Sequence, residues 1–160
     1  MYSIITTSIV CGIDSIPIQV EADISTGMPV FEMVGFLSAE VKEAKERVRT
    51  ALKNSGYLLP AKRITINLSP ANIRKSGTGF DLAIAVAILV ALGVVPKERL
   101  CDTLVVGELG LDGRIHPING VLPMIAGAKE NGIRQCILPE QNRSEAQMVA
   151  GVMVFGMSNL

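Results

Sequence analysis

The chain has 160 residues, of which 49% are hydrophobic and 19% charged, and its fifteen basic and fifteen acidic side chains cancel. This length suffices for one domain with a real core, and the composition excludes a mainly disordered chain. Three cysteines without a C-x-x-C pair indicate neither a disulfide framework nor a zinc site. The N-terminus lacks the basic and apolar regions of a signal peptide, so we expect a cytoplasmic protein with no membrane partner.

The first half of the chain predicts four strands and one helix. Clusters of β-branched residues predict strands over residues 2–11, 16–24 and 29–34. Ser38 is a typical N-cap residue, and apolar side chains at every third or fourth position predict a helix that runs to Asn54. Alternating apolar residues predict a fourth strand over residues 62–68.

A basic, glycine-rich turn over residues 74–80 leads into eleven consecutive apolar residues, 82–92. The run is too short for a bilayer, which needs roughly 20 residues, so it predicts a helix buried on every side within the fold. We expect Asp81 to accept hydrogen bonds from the first free N–H groups of this helix and Gly93 to end it.

The second half of the chain alternates strands and helices. Residues 103–108 and 114–118 predict two strands joined by a turn, and residues 122–131 a helix. A strand over 133–138, a helix over 140–149 and a last strand over 152–156 follow. The early strands favour antiparallel pairing and the later alternation favours parallel pairing. The expected fold is therefore α/β (α+β), a mixed sheet with helices mainly on one face.

Charge is distributed unevenly along the chain. Between Ser38 and Lys75 nine basic residues stand against three acidic ones, so this segment carries +6 and the remainder −6. Such asymmetry indicates a surface that faces a polyanion, although a solvated helix face explains the charge at least as well.

Blocks of sequence that extend over essentially the whole chain resemble one known family. They are Gly12-Ile13-Asp14, Val34-Gly35, Phe80-Asp81-Leu82 and residues 20–29, 41–56, 63–71, 107–113 and 120–123. In this order they resemble the N-terminal domain of the ComM/YifB family, the magnesium-chelatase-like proteins of bacteria. The resemblance implies a single Lon protease-like domain over residues 1–160, with the ribosomal protein S5 domain 2-like fold.

The resemblance also implies a larger protein around this domain. Family members carry an AAA+ ATPase domain in the same polypeptide, which would use ATP and Mg²⁺, and ComM proteins are hexameric helicases that promote DNA branch migration during natural transformation. The chain has no G-x-x-x-x-G-K-[ST] loop, because Gly77 and Gly79 follow Lys75 instead of preceding a lysine. We therefore expect a fragment that lacks the ATPase domain and holds no cofactor of its own.

Aligned with the Lon motifs, Gly79 occupies the place of the nucleophilic serine and Leu122 the place of its partner lysine. A Ser–Lys dyad needs a hydroxyl that attacks and an amine of depressed pKa that takes its proton. Glycine and leucine supply neither, so we expect no catalytic residue and no peptidase activity. We expect Ser76 and Thr78, beside the vacant position, to hydrogen-bond the turn.

Metal binding has little support in the sequence. Glu108 and Asp112 flank a turn and could hold a metal as a carboxylate pair, but Asp112-Gly113 is a common turn dipeptide. His116 stands without a matched acid or nucleophile, which favours a packing or surface role. We expect no metal site, no metal-chelatase role, and cysteines that pack as small apolar residues.

Two functions remain. The first is sequence-independent DNA contact, in which lysine and arginine neutralise phosphates without reading bases. The aromatic content is only 4%, which argues against a DNA-binding mode in which bases stack on a platform of aromatic rings. The second is a scaffold that helps ATPase subunits form a ring without touching DNA. The candidate DNA-binding residues are Lys42, Lys45, Arg49, Lys53, Lys62, Arg63, Arg74 and Lys75.

Overall fold

The computed structural model describes residues 1–160, which form nine strands and four α-helices. The strands are β1 (Tyr2–Cys11), β2 (Asp14–Ser25), β3 (Val30–Val34), β4 (Arg63–Ser69), β5 (Thr103–Val105), β6 (Glu108–Leu109), β7 (Ile115–His116), β8 (Gln135–Pro139) and β9 (Met153–Met157). The helices are α1 (Ala39–Asn54), α2 (Asp81–Ala91), α3 (Val121–Glu130) and α4 (Arg143–Ala146).

Seven strands form one mixed sheet with the order β3-β4-β2-β1-β5-β8-β9, and β6 and β7 form a separate hairpin. The early strands β1, β2 and β4 pair antiparallel, whereas β5, β8 and β9 pair parallel. This confirms the expected mixed sheet. Strands β3 and β4 are also parallel, because helix α1 connects them as a crossover.

Helix α2 is the centre of the larger core. Ten of its eleven residues are buried, and it packs against β1, β2 and α1. In β1, the Ser3 hydroxyl donates to the Ala87 carbonyl at 2.6 Å. Gly93 follows the helix with a φ of +74°, and the Val94 N–H bonds the Leu89 carbonyl at 2.9 Å. The prediction of a buried helix ended by Gly93 is therefore confirmed.

A second apolar cluster lies on the opposite face of the sheet. There α3 and α4 cover β5, β8 and β9, through side chains that include Leu104, Ile125, Cys136 and Leu138. Helices α1 and α2 thus share one face, while α3 and the short α4 cover the other, so helices lie on both faces of the sheet and not mainly on one. Parallel strands of this kind are apolar on both faces, which is why both need a helical layer. None of the helices has the length and apolar character that spanning a membrane requires.

Two sequence predictions in the second half were wrong in detail. The helix expected over 140–149 is a 3-10 turn, Glu140–Asn142, followed by the four residues of α4. The buried Asn142 amide bonds both backbone groups of Ile118, at 2.9 and 3.0 Å, so a tertiary contact sets the local conformation. The strand expected over 103–108 divides into β5 and β6, because the Gly107 N–H bonds the Gly79 carbonyl at 3.0 Å instead of continuing the sheet.

Candidate functional site

The predicted cations of α1 form a single stripe along the exposed side of the helix. Ser38 caps the helix through a hydrogen bond from the Val41 N–H at 3.4 Å, as predicted. The stripe is Lys42, Lys45, Arg49 and Lys53, spaced by three or four residues, and all four side chains are exposed. None of them takes part in a salt bridge. Over eleven residues the stripe is about 16 Å long.

Lys62 lies at the C-terminal end of this stripe. Together with Arg49 and Lys53 it lines a groove of about 290 Å³ whose apolar wall includes Leu58 and Leu59. The chain turns back through residues 58–62 before β4, which brings Lys62 close to the helix although it is nine positions beyond Lys53 in the sequence. The groove is lined by three cations and no carboxylate, so its electrostatic potential is positive.

The other three predicted cations do not join this group. Arg63 lies on the sheet face away from α1, where its Nη2 donates to Glu32 Oε2 at 2.6 Å. Arg74 is exposed and lines a different cleft. It also lies near Glu40. A hydrogen bond with Ser38 has the largest effect in lowering the pKa of Glu40, and the positive charge of Arg74 lowers it further.

Lys75 is buried, which corrects the expectation of a solvent-facing cation. Its side chain has an exposed fraction of 0%, and its ammonium donates to the carbonyl of Pro70. The backbone of Lys75 forms an isolated parallel β-bridge with Leu37, in which the Ser38 N–H donates to the Lys75 carbonyl at 2.9 Å. Desolvation lowers the pKa of Lys75. An ammonium enclosed in this way cannot reach a phosphate.

The carboxylate of Asp81 has a different role from the one predicted. It does not cap α2; instead it accepts from Arg47 Nε at 2.7 Å, from Arg47 Nη2 at 3.0 Å and from the Leu109 N–H at 3.2 Å. Burial raises the pKa of Asp81, and the guanidinium opposes that rise. The hydrogen bond with Asp81 raises the pKa of Arg47. Through these hydrogen bonds Asp81, at the N-terminus of α2, contacts both α1 and β6.

A cleft of about 490 Å³ adjoins the glycine-rich loop that precedes α2. Gly79 lines it, opposite Ile118, and the Thr78 hydroxyl in the same wall donates to the carboxylate of Glu108. Leu122 lies in the first turn of α3, half-buried, while Met124 of that helix reaches the cleft. The position aligned with the Lon serine therefore lies in a wall of this cleft.

The candidate metal ligands have separate partners. Glu108 accepts from Thr78, whereas Asp112 pairs with Arg114 at 3.3 Å and His116 is exposed on β7. No group of three or more His, Cys, Asp or Glu side chains is gathered in a way that could hold a metal ion. Of the cysteines only Cys136 is buried, whereas Cys11 and Cys101 are exposed, which corrects the expectation that all three pack inside.

Sequence reasoning missed both contacts of the α2 N-terminus, Arg47–Asp81 and Thr78–Glu108. Arg47 is one of several charged residues of α1, and no local pattern pairs it with a residue 34 positions away. One signal was available: Arg47 lies off the stripe, because it is two residues from both Lys45 and Arg49 and so projects from another side of the helix.

Comparison with known proteins identifies the family. The family described as subunit ChlI of Mg-chelatase matches residues 20–142. The protein YifB of Escherichia coli is 41% identical over 149 residues, 93% of this chain and 29% of YifB. Competence protein ComM of Haemophilus influenzae is 40% identical over 139 residues, 87% of this chain and 27% of ComM.

A more distant similarity extends to Lon proteases. Lon protease 2 of Bacillus subtilis is 31% identical over 124 residues, 74% of this chain and 22% of that protein, in agreement with a Lon-like fold. The chain thus spans about 30% or less of the length of the relatives described here. The matched sequence blocks, the family match and the fold agree, and the chain belongs to the magnesium-chelatase-like ComM/YifB family, as its N-terminal Lon-like domain.

Proposed function

We propose that this chain is a non-catalytic module of a ComM/YifB-type AAA+ ATPase and that it contacts DNA phosphates without reading sequence. The observation that carries the proposal is the stripe Lys42, Lys45, Arg49 and Lys53, which is exposed, free of salt bridges and extended by Lys62. Five cations gathered on one side of the fold suit a polyanion of regularly spaced charges.

The proposal includes the larger assembly that the family resemblance implies. ATP and Mg²⁺ would bind in the AAA+ domain of the same polypeptide, and the full protein would be a cytoplasmic hexamer that drives DNA branch migration. The relative from Haemophilus influenzae is named a competence protein, which supports a role in competence. The role in DNA recombination during natural transformation is the part of the proposal that the family resemblance implies. In this arrangement the stripe holds the duplex while the motor moves it.

Salt dependence tests the DNA contact. Five phosphate contacts predict a slope of log affinity against log salt of about −4.5, and therefore a loss of several hundredfold in affinity between 50 and 200 mM salt. Fluorescence anisotropy with a labelled duplex of 20 base pairs measures this slope. Affinity that falls only weakly over this range would contradict phosphate contact by the stripe.

A triple charge reversal, Lys45→Glu, Arg49→Glu and Lys53→Glu, should abolish binding in the same experiment. The matched control reverses three exposed cations elsewhere that form no salt bridge, Lys97→Glu, Arg99→Glu and Lys129→Glu, and it changes the net charge equally. The control should retain most of the affinity. Equal loss in both variants would show that net charge and not the stripe governs binding.

The second candidate function is ring assembly, and the edge strand β9 favours it. Met153, Phe155 and Met157 alternate along its outer surface with exposed fractions of 60%, 39% and 40%. An unpaired edge with apolar side chains is a surface on which a second copy of this chain can pair. Light scattering should show a concentration-dependent oligomer that Phe155→Ser reduces to a monomer. A wild-type chain that stays monomeric at high concentration would leave DNA contact as the supported function.

A further inference from the structure

The cationic groove at the end of the stripe also has an exposed apolar wall. Leu58, in the loop before β4, is 78% exposed, and Pro29, Leu59 and Pro60 line the same groove. Single apolar residues are common on protein surfaces, but apolar residues gathered around a concave surface are typical of a binding site. The apolar wall therefore favours an occupant that brings apolar groups of its own.

Strand β3 supplies a further wall of the groove and lies at one edge of the seven-stranded sheet. It pairs with β4 alone, and its residues Val30 and Phe31 line the groove. No residue from Val30 to Val34 takes part in a backbone hydrogen bond outside this pairing. In a paired strand alternate residues direct their N–H and C=O groups away from the partner, so the outer edge of β3 offers free donors and acceptors beside the groove.

The charge of the groove is not neutralised within the fold. Arg49 and Lys53 lie one turn apart on α1, Lys62 faces them from the loop, and none of the three takes part in a salt bridge. Glu46, on the same side of α1, does not line the groove. The three cations therefore favour an occupant with negative charge.

These three features together distinguish between classes of occupant. A nucleotide matches the cations, but the donors of its base would find no acceptor among the lining side chains, and the one ring, Phe31, is 7% exposed and unsuited to stacking. A fatty acid matches the cations and the apolar wall but leaves the strand edge unpaired. An acidic polypeptide with apolar side chains matches the cations, the wall and the edge.

We propose that this groove binds a segment of another protein in which carboxylate and apolar side chains alternate, and that the segment lies along the outer edge of β3. Its carboxylates pair with Arg49, Lys53 and Lys62, its apolar side chains pack against the wall around Leu58, and its main chain bonds the strand edge. The five residues of β3 limit this contact to about 16 Å. Because the same cations belong to the proposed DNA contact, the segment displaces DNA from this end of the stripe; only that consequence rests on the proposed function.

A pair of peptides tests the proposal. The probe is a fluorescein-labelled peptide of six residues in which aspartate and leucine alternate, blocked at both ends and titrated against the intact chain. Saturable binding is expected in anisotropy, with amide NMR shifts confined to β3, residues 58–62 and the C-terminal half of α1. The matched peptide has serine in place of leucine and the same charge, and it should bind at least tenfold more weakly because it cannot use the apolar wall.

Two exposed leucines offer a matched pair of variants. Leu58→Ser should weaken binding of the aspartate–leucine peptide at least tenfold and leave binding of the aspartate–serine peptide unchanged. Leu111→Ser makes the same change at a residue that is 56% exposed in the turn between β6 and β7, outside the groove, and should leave both unchanged. Lys62→Met should weaken both peptides. Thermal unfolding verifies that the variants are folded.

Several outcomes would overturn the proposal. They are the absence of saturable binding at millimolar peptide, equal binding of the two peptides, and NMR shifts that map to another surface. A loss of affinity for a single-stranded oligonucleotide in Leu58→Ser as large as the loss for the peptide would assign the groove to a nucleotide instead. The DNA proposal fails independently, because Lys42→Glu, in the stripe but outside the groove, should weaken DNA binding and leave peptide binding largely unchanged.

Discussion

The guanidinium of Arg47 holds both carboxylate oxygens of Asp81, with Nε 2.7 Å from Oδ2 and Nη2 3.0 Å from Oδ1. The Asp81 side chain is fully buried, whereas 20% of the Arg47 side chain is exposed. A buried carboxylate is tolerated because this partner and the Leu109 N–H replace its lost hydration. The contact joins the helix that carries the cationic stripe to the central helix of the core.

Removing Arg47 should destabilise the fold strongly. Arg47→Met leaves an uncompensated buried charge, and we expect a loss of about 3 kcal/mol in the free energy of unfolding, measured by urea titration. The control is the double variant Arg47→Met with Asp81→Asn, which keeps an acceptor for the Leu109 N–H and removes the charge. It should recover part of the lost stability; a double variant less stable than the single one would contradict this account.

The same carboxylate predicts a pH dependence. Because burial raises the pKa of Asp81 above its ordinary value of 3.8, the folded chain binds its proton more tightly than the unfolded chain does. The stabilisation from this group is fully present below pH 3.8 and is lost as the pH rises through the raised pKa. The stability of wild type relative to Asp81→Asn should therefore decrease from pH 4 to pH 7. Urea midpoints measure the difference, and a difference that increases with pH would show that the pKa is lowered.

Lys75→Met should leave DNA affinity unchanged. The Lys75 ammonium is enclosed and donates to Pro70, so its loss removes no phosphate contact. Lys53→Met is the matched comparison, because the same change at an exposed stripe position should reduce the salt slope by about 1. Anisotropy titrations at several salt concentrations distinguish the two, and thermal unfolding verifies that both variants are folded. A loss of affinity in Lys75→Met equal to that in Lys53→Met would refute the assignment.

The three thiols should differ sharply in reactivity. Cys11 and Cys101 are exposed, whereas Cys136 is buried between β5 and β9, and desolvation raises the pKa of its thiol to about 12. The thiolate is the reactive form, so an aromatic disulfide reagent at pH 8 should label two thiols quickly and the third only on unfolding. Mass spectrometry of the labelled peptides identifies the residues. Rapid labelling of all three in the native state would contradict the packing of β8.

Several features of the fold were accessible from local sequence. Eleven consecutive apolar residues before Gly93 predicted a buried helix, because a helix that is apolar on every side has no polar face that could be exposed to solvent. The spacing of Val41, Val48 and Leu52 likewise predicted which side of α1 packs inside. By contrast, the short helix α4 was overestimated, since the contact of Asn142 with Ile118 competes with helical hydrogen bonding.

The sequence by itself determined the order of most strands and helices, the family, and the absence of a hydroxyl at Gly79 and an amine at Leu122. These follow from residue type and from spacing over a few positions. Only the tertiary structure decided that Lys62 joins Arg49 and Lys53, and that Lys75 is enclosed while its neighbour Arg74 is exposed. The physical reason is that burial and charge pairing depend on contacts between residues far apart in the chain, which local periodicity does not encode.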